Sequence, residues 1–265
     1  MFAQDFLFNN QKLSDFGFII AGDMDGESVA SGGEIDIVSV RPPDSDKHDF
    51  YTGNLDSPIQ YTFGIIKYKC GDKNDIYVTP EEESRLAKWL MRKSKVEGYK
   101  WLQFDEDYYR DINYKVCFTE MNPVQVGGKT IGFTLSCTSN CGYAYSNEKM
   151  HKFTLSNNGV KEIIVTSDMS TYIYPKITLT GNIGNIVFGN NDDDGGHNFA
   201  EIKTTSGNKT IVLDCENDII TGISAPDEFN YQFPKMVDGS NHFRMVGASS
   251  VAVEIVYREA RRIIV

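Results

Sequence analysis

The chain is poor in histidine, with 4 in 265 residues. His48, His151, His197 and His242 fall in separate polar segments, and none stands in a Gly-x-Ser-x-Gly or His-Glu-x-x-His frame. The sequence therefore offers no framed set of catalytic residues. Long apolar runs are missing too, since nothing approaches the roughly 20 residues that a helix needs to cross a bilayer. Met1–Asn10 has neither a basic leader nor a continuous apolar stretch, which argues against a signal peptide. Positive charge is in deficit: 26 Lys and Arg against 37 Asp and Glu leave a net charge of −11. That balance speaks against a general nucleic-acid binder or a ligand of anionic membranes, both of which need clustered cations. An acidic wall past which DNA slides without sticking is compatible with it, and so is an ordinary solvated surface. The 5 cysteines (Cys70, Cys117, Cys137, Cys141 and Cys215) are odd in number and scattered over expected strands. This fits free thiols in a protein folded in a reducing cytosol. Cys137 and Cys141 lie close together, but no second pair and no nearby His completes a zinc site, so neither metal nor cofactor is expected.

What the chain does have is aromatic residues, 16 Phe and 14 Tyr, which favour sheets. One helix is expected, over 79–94. Thr79 is a good N-cap, Pro80 suits the first helical position, and Glu82 completes a capping box. Glu81, Glu82 and Glu83 face the positive end of the helix dipole, with Arg92 and Lys93 at the negative end. Leu86, Trp89 and Leu90 form an apolar stripe that the stem of Lys93 extends, and Gly98 marks the stop. Everything around this helix reads as strand and turn, so it must dock on a sheet.

Asp5–Ile20 reads as two strands joined by an Asn9-Asn10 turn. Residues 21–34 carry no period and read as a loop or hairpin tip, and Ile35–Val40 resumes as a strand before a polar loop. Ser57–Tyr68 alternates cleanly, and Ile76–Val78 is a short lead-in to the helix. Tyr99–Phe104 and Asn113–Thr119 are further strands, followed by a hairpin around Gly127-Gly128. The polar stretch Tyr143–Lys152 marks a boundary, giving an α+β domain over 1–147 and a second domain over 148–265. The second domain shows short strands at regular spacing: Lys152–Leu155, Lys161–Thr166, Lys176–Thr180, Ile183–Gly189, Asn198–Lys203, Lys209–Asp214, Asp218–Gly222 and Ser250–Tyr257. That pattern predicts an antiparallel β-sandwich, and the chain as a whole is mainly β.

Candidate chemistry is thin. Asp192–His197 is a hard-oxygen loop, but it lacks the ligand spacing of a calcium loop and reads as a solvated hairpin tip. Asp44, Asp46, His48 and Asp49 read the same way. Asp105, Glu106 and Asp107 are carboxylates of the type a glycosidase needs, yet in an acidic chain their presence decides nothing. Gly127-Gly128-Lys129 leads into a strand rather than a helix, so it is a turn and not a phosphate cradle. Tyr172 and Tyr174 either stack on sugars or pack against neighbouring strands.

Three stretches together resemble the distal tail proteins (Dit) of long-tailed phages with non-contractile tails. Phe6–Ile19 resembles the family's opening, a short aromatic strand, a turn, and then Ser14-Asp-Phe-Gly17 with an apolar strand. Phe233–Gly247, with Phe233-Pro234, Met236, Gly239, Asn241 and Gly247, resembles a second family stretch, and Val251–Arg258 resembles its final strand. The resemblance covers nearly the whole chain and implies a non-catalytic structural virion protein. Its first domain would form a six-membered ring (the belt), and its second would be a galectin-like or carbohydrate-module-like sandwich projecting outward. The ring would join the major tail protein to the tail-associated hub protein and carry receptor-binding or peripheral baseplate proteins, with DNA passing through the lumen. The location implied is the virion tail tip, after assembly in the host cytoplasm. Within the polar loops 21–34 and 41–56, Arg41 and Tyr51 are candidate interface anchors. Two readings from other classes stand beside this one. One is a carbohydrate-binding adhesion module recognising cell-wall polysaccharide; the other is a polysaccharide-cleaving enzyme with a carboxylate pair in a cleft.

Overall fold

Two asparagines make the first turn of the computed structural model, which describes residues 3–22, 29–31, 36–40, 49–54, 57–68, 76–91, 98–193 and 198–262. Asn9 and Asn10, at φ 50° and 62°, take the left-handed conformation of a tight hairpin and join β1 (Phe6–Phe8) to β2 (Gln11–Lys12). The next strand starts later than the alternation predicts. Asp5 accepts hydrogen bonds from the Ser14 amide and hydroxyl, and Asp15 accepts from the Lys12 amide, winding Leu13–Phe16 into a 3-10 turn. Gly17, at φ 81°, then redirects the chain into β3 (Phe18–Gly22).

The first unit continues with β4 (Val29–Ser31), β5 (Asp36–Val40), β6 (Asp49–Asn54) and β7 (Gln60–Lys67). Helix α1 (Pro80–Leu90) follows, then β8 (Lys100–Phe104), β9 (Tyr114–Val126), β10 (Lys129–Ser139) and β11 (Ala144–Tyr145). Two stretches expected as loops thus contain strands, β4 within 21–34 and β6 within 41–56. Ile76–Val78 leads into the helix, and the strand expected at 113–119 runs unbroken to Val126. The main sheet is ordered β2-β1-β8-β9-β10-β7-β3, with β4 also on β7, while β5 and β6 pair separately.

α1 obeys its sequence signals at the N-terminus. The Glu82 amide donates to Thr79 Oγ1 at 3.3 Å, and the Thr79 amide donates to Glu82 Oε2 at 2.9 Å. The helix reaches Leu90 with Met91 as its C-cap, and residues 92–97, including Arg92 and Lys93, lie outside the described residues. Leu86 and Leu90 are buried against the sheet, each contributing about 1.5–3 kcal/mol of apolar burial. Trp89 lies between Phe6 and Phe16, stacked on them at 5.6 and 4.3 Å, and its indole N–H donates to Phe8 O at 3.2 Å. Around these rings Phe63, Phe104 and Phe118 complete an aromatic core.

Glu82 also ties the helix to the sheet. Its Oε2 accepts from Lys67 Nζ at 2.8 Å, and the same ammonium, with a side chain only 5% exposed, donates to Tyr77 O at 2.8 Å. Burial by itself raises the Glu82 pKa. Hydrogen bonds from Lys67 and Thr79 and the ammonium charge outweigh it, so the carboxyl titrates below its ordinary value.

The second compact unit is Ser146–Arg261, the first being Met1–Tyr145 with Arg262–Val265. Its strands begin with β12 (Lys149–Ser156), β13 (Val160–Val165), β14 (Lys176–Ile183), β15 (Ile186–Asn190) and β16 (Ala200–Ile202). They continue with β17 (Gly207–Asp214), β18 (Ile219–Thr221), β19 (Gly239–Val246), β20 (Ser250–Tyr257) and β21 (Ala260–Arg261). One sheet runs β12-β20-β14-β17-β18 and the other β13-β19-β15-β16, every pairing antiparallel. Leu179, Leu213 and Val253 of the first sheet share one buried core with Ile163, Phe188 and Phe243 of the second, a sandwich as expected.

Strand β19 is absent from the sequence expectation, and its inward face shows why. Asn241 takes a core position, fully buried, where alternation calls for an apolar residue. Its amide satisfies itself completely: Oδ1 accepts from Asn190 Nδ2 and the Val237 amide, each at 2.8 Å, and Nδ2 donates to Val237 O and Gly239 O. The Phe233–Gly247 stretch is thus held by its asparagine as a structural staple.

Glu82→Gln keeps the cap but removes the charge beside buried Lys67, and is expected to cost about 1–2 kcal/mol at neutral pH. Because the folded-state pKa is depressed, this contribution is full above the ordinary carboxylate value and is lost as pH falls through the folded value. Urea titrations of the parent and variant at pH 7 and near pH 3 should show the gap closing in acid.

Candidate assembly surface

The β9–β10 hairpin reaches past the sheet that supports it. β8 pairs with β9 only from Tyr114 to Val116, so from Cys117 to Val126 β9 has β10 as its one strand neighbour among the described residues. β10 in turn pairs with β7 only from Gly132 to Thr138, so that among the described residues 125–131 form a two-stranded arm. The sequence allows this because the outer half of β9 (Thr119, Glu120, Asn122, Pro123, Gln125) is polar or turn-prone and exposed. Pro123, which lacks an amide proton, suits a strand with an open edge. Gly127 and Gly128, at φ 60° and 77°, form the expected tight turn.

At the base of the arm the register slips between Thr130 and Gly132. A Cβ on Gly132 would stand 2.1 Å from Ile65 O, so only glycine lets β7 come this close. The arm is braced there: Val78 donates its amide to Thr130 O at 2.8 Å, and Lys129 Nζ lies 4.4 Å from the centre of the Tyr77 ring. Val126, Ile76 and Tyr68 are 57%, 48% and 54% exposed. They are linked through Lys129, Tyr77 and Lys67, the last of which bonds Tyr77 O. Large apolar side chains left in water beside an unpaired edge have the character of a contact surface.

The other sequence candidates are dispersed. Arg41 lies outside the described residues, and Tyr51 lies on β6, whose side chains are outside them too. Asp44, Asp46, His48, Asp194, His197 and Cys70 are likewise outside. Asp192 is no passive tip residue: it accepts from the His242 amide and ring Nδ1, the latter at 2.9 Å, anchoring its turn to β19. Asp193 is fully buried, and among the described residues neither of its carboxylate oxygens has a hydrogen-bond partner. Asp105 pairs with Lys12 at 3.2 Å and Asp107 with Arg110 at 2.6 Å. Tyr172 and Tyr174 both lie beneath Lys235, whose Nζ is 4.9 and 5.7 Å from their ring centres. His151 stacks on Tyr257 at 5.8 Å. Among the described residues no three His, Cys, Asp or Glu side chains gather as metal ligands, and no helix is long and apolar enough to cross a membrane.

One charged cluster escaped the sequence reading. Glu259, fully buried, receives Lys149 Nζ at 2.7 Å, Arg261 Nη2 at 2.8 Å and the Thr166 amide at 3.0 Å. Its partners are up to 110 positions away in sequence, so no local pattern announces it. It ties β21, through Arg261, to β12 and to the Thr166 amide within the second unit.

The described residues thus form a β-rich first unit with a docked helix and a second unit that is a β-sandwich. The family described as phage tail protein N-terminal domain matches residues 1–141, and the phage tail C-terminal domain matches residues 143–257. The chain belongs to this phage tail protein family. It shares its fold with the SPP1 Dit protein, described as a paradigm of the hub adsorption apparatus in phages infecting Gram-positive bacteria. That match has a TM-score of 0.65 at 12% identity and covers 97% of this chain and 99% of the other. A chain of the phage P2 baseplate in its activated conformation with Ca matches at 0.56 and 10% identity, covering 99% of both chains. The same baseplate with Sr gives 0.57 and 10%, covering 97% of this chain and 98% of that one. No curated protein sequence matches significantly. The resemblance drawn from three sequence stretches therefore extends to the fold of the whole chain.

The cysteines respond to burial. Cys137 is pushed up to about 12 and Cys215 is also raised, burial being the main cause in both, whereas Cys117 and Cys141 are half-buried. Alkylation near pH 8, mapped by mass spectrometry, should leave Cys137 and Cys215 unmodified until the protein unfolds, with Cys117 and Cys141 reacting before them.

Proposed function

We propose that this tail protein is a distal tail hub. Domain 1–147 closes into a hexameric belt, and domain 148–265 is a galectin-like sandwich. The ring joins the major tail protein above to a tail-associated hub protein below and offers seats for receptor-binding or peripheral baseplate proteins. DNA passes through the lumen without specific binding, a role that the net charge of −11 suits. The protein carries out no reaction; it works at the virion tail tip after assembly in the host cytoplasm. The observation that carries this reading is a fold shared from end to end with a hub protein, at 97% and 99% coverage. The braced arm supports it, since an open strand edge flanked by exposed Val126 suits pairing with a neighbouring copy.

Negative-stain electron microscopy and mass photometry of the full chain, alone and co-expressed with the tail-tube and hub proteins of the same phage, test it. Closed rings of six with a central hole are expected. A strict monomer under both conditions overturns the reading. Val126→Asp should leave the melting temperature unchanged yet raise the concentration needed for ring closure by at least about tenfold.

A further inference from the structure

The second unit carries a mainly apolar groove of about 410 Å³ at one edge of its larger sheet, lined by Asp218, Ile219, Ile220, Ile223, Pro226 and Tyr231 among others. β18 forms one wall. It pairs with β17 through Ile219, Ile220 and Thr221 and has no other strand neighbour among the described residues. Ile219 is 51% exposed and Tyr231 56%.

Tyr231 is held there against its own preference. Its φ of +56° is the left-handed region, which a bulky L-residue disfavours. Asn230 fixes the position: its Oδ1 accepts from the Glu201 and Gln232 amides at 3.0 and 3.2 Å, and its Nδ2 donates to Phe199 O at 2.8 Å. A strained, over-determined tyrosine at the mouth of an apolar groove is more than leftover loop. Acidic residues flank it: Asp218 lines the groove, and Asp227 and Glu228 follow the lining residue Pro226 in the 3-10 turn Pro226–Glu228. Glu228 accepts from the Ser224 amide at 2.8 Å, and this bond, with smaller contributions, keeps its carboxyl below the ordinary value. Lys209 is near enough to contribute, but its ammonium is engaged by Thr204 Oγ1.

We propose that this groove docks an extended segment of a partner protein, alternating apolar and basic residues, which adds to the free edge of β18. The open strand edge supplies main-chain hydrogen bonds and the isoleucines supply a floor for alternate side chains. The flanking acidic residues select Lys or Arg on the intervening positions. A sugar is the poorer fit, because Ile219, Ile220, Ile223, Ala225 and Pro226 make most of the lining apolar. The inference concerns the second unit and is independent of ring formation.

The test uses the full chain with a fluorescent peptide of alternating lysine and valine, read by anisotropy and by hydrogen–deuterium exchange. Expected are saturable binding, slowed exchange in 218–231, and affinity at least about tenfold weaker for alternating glutamate and valine or for I219K. Tyr231→Gly removes the strain, so its melting temperature should hold or rise while peptide affinity falls, which separates binding from folding. No saturation by about 1 mM peptide overturns the proposal. So does protection elsewhere, equal binding of the acidic peptide, or undiminished binding by I219K. Protection of 218–231 by β-linked oligosaccharides, with none from the peptide, would assign the groove to sugar and likewise overturn it.

Discussion

The carboxylate of Glu82 is the point on which the first unit depends. It closes the cap of α1 and neutralises an ammonium that the sheet has buried, so helix initiation and helix docking draw on the same oxygen atom. Neither role stands well alone. An isolated helix of 11 residues is marginal in water, and a lysine 5% exposed needs an anion beside it. Once Glu82 has set the helix in place, Trp89 falls between Phe6 and Phe16, and the N-terminal hairpin is held by the helix that it supports. The aromatic content of the sequence thus has a definite task here: flat rings fill the space between one helix and a twisted sheet.

The second unit solves a different problem, keeping order at positions where an apolar core would leave the register loose. Asn241 and Asn190 sit fully buried with their hydrogen-bonding groups engaged by each other and by the backbone around Val237. Glu259 does the same at the end of the unit with two cations and an amide. Such groups specify a unique arrangement, because any slip would leave buried polar atoms unpaired.

How far the sequence revealed this depends on the range of the interactions. The cap of α1, the Asn9-Asn10 and Gly127-Gly128 turns, and the alternating strands β7 and β20 rest on neighbours a few positions apart, and all were legible. Strand β19 was not, since a buried asparagine mimics a turn residue until its partner is known. The full length of β9 was hidden because an arm in solvent has no reason to alternate. The Lys67–Glu82 and Lys149–Glu259 pairs were invisible for the simplest reason, that each is made by the fold. Among the surfaces, Val126 at the arm and Tyr231 at the groove carry no motif; only exposure picks them out.

The open edge of β9 has a cost that its sequence manages. A bare strand edge is a template for any other strand, and in a crowded cell making many copies of one tail component it invites indiscriminate stacking. Pro123 interrupts the row of amide donors, and Glu120 sets a charge nearby. Together they act as a gatekeeper: the edge is poor bait for amyloid-like growth, yet a partner whose own strand tolerates one missing donor can still use it.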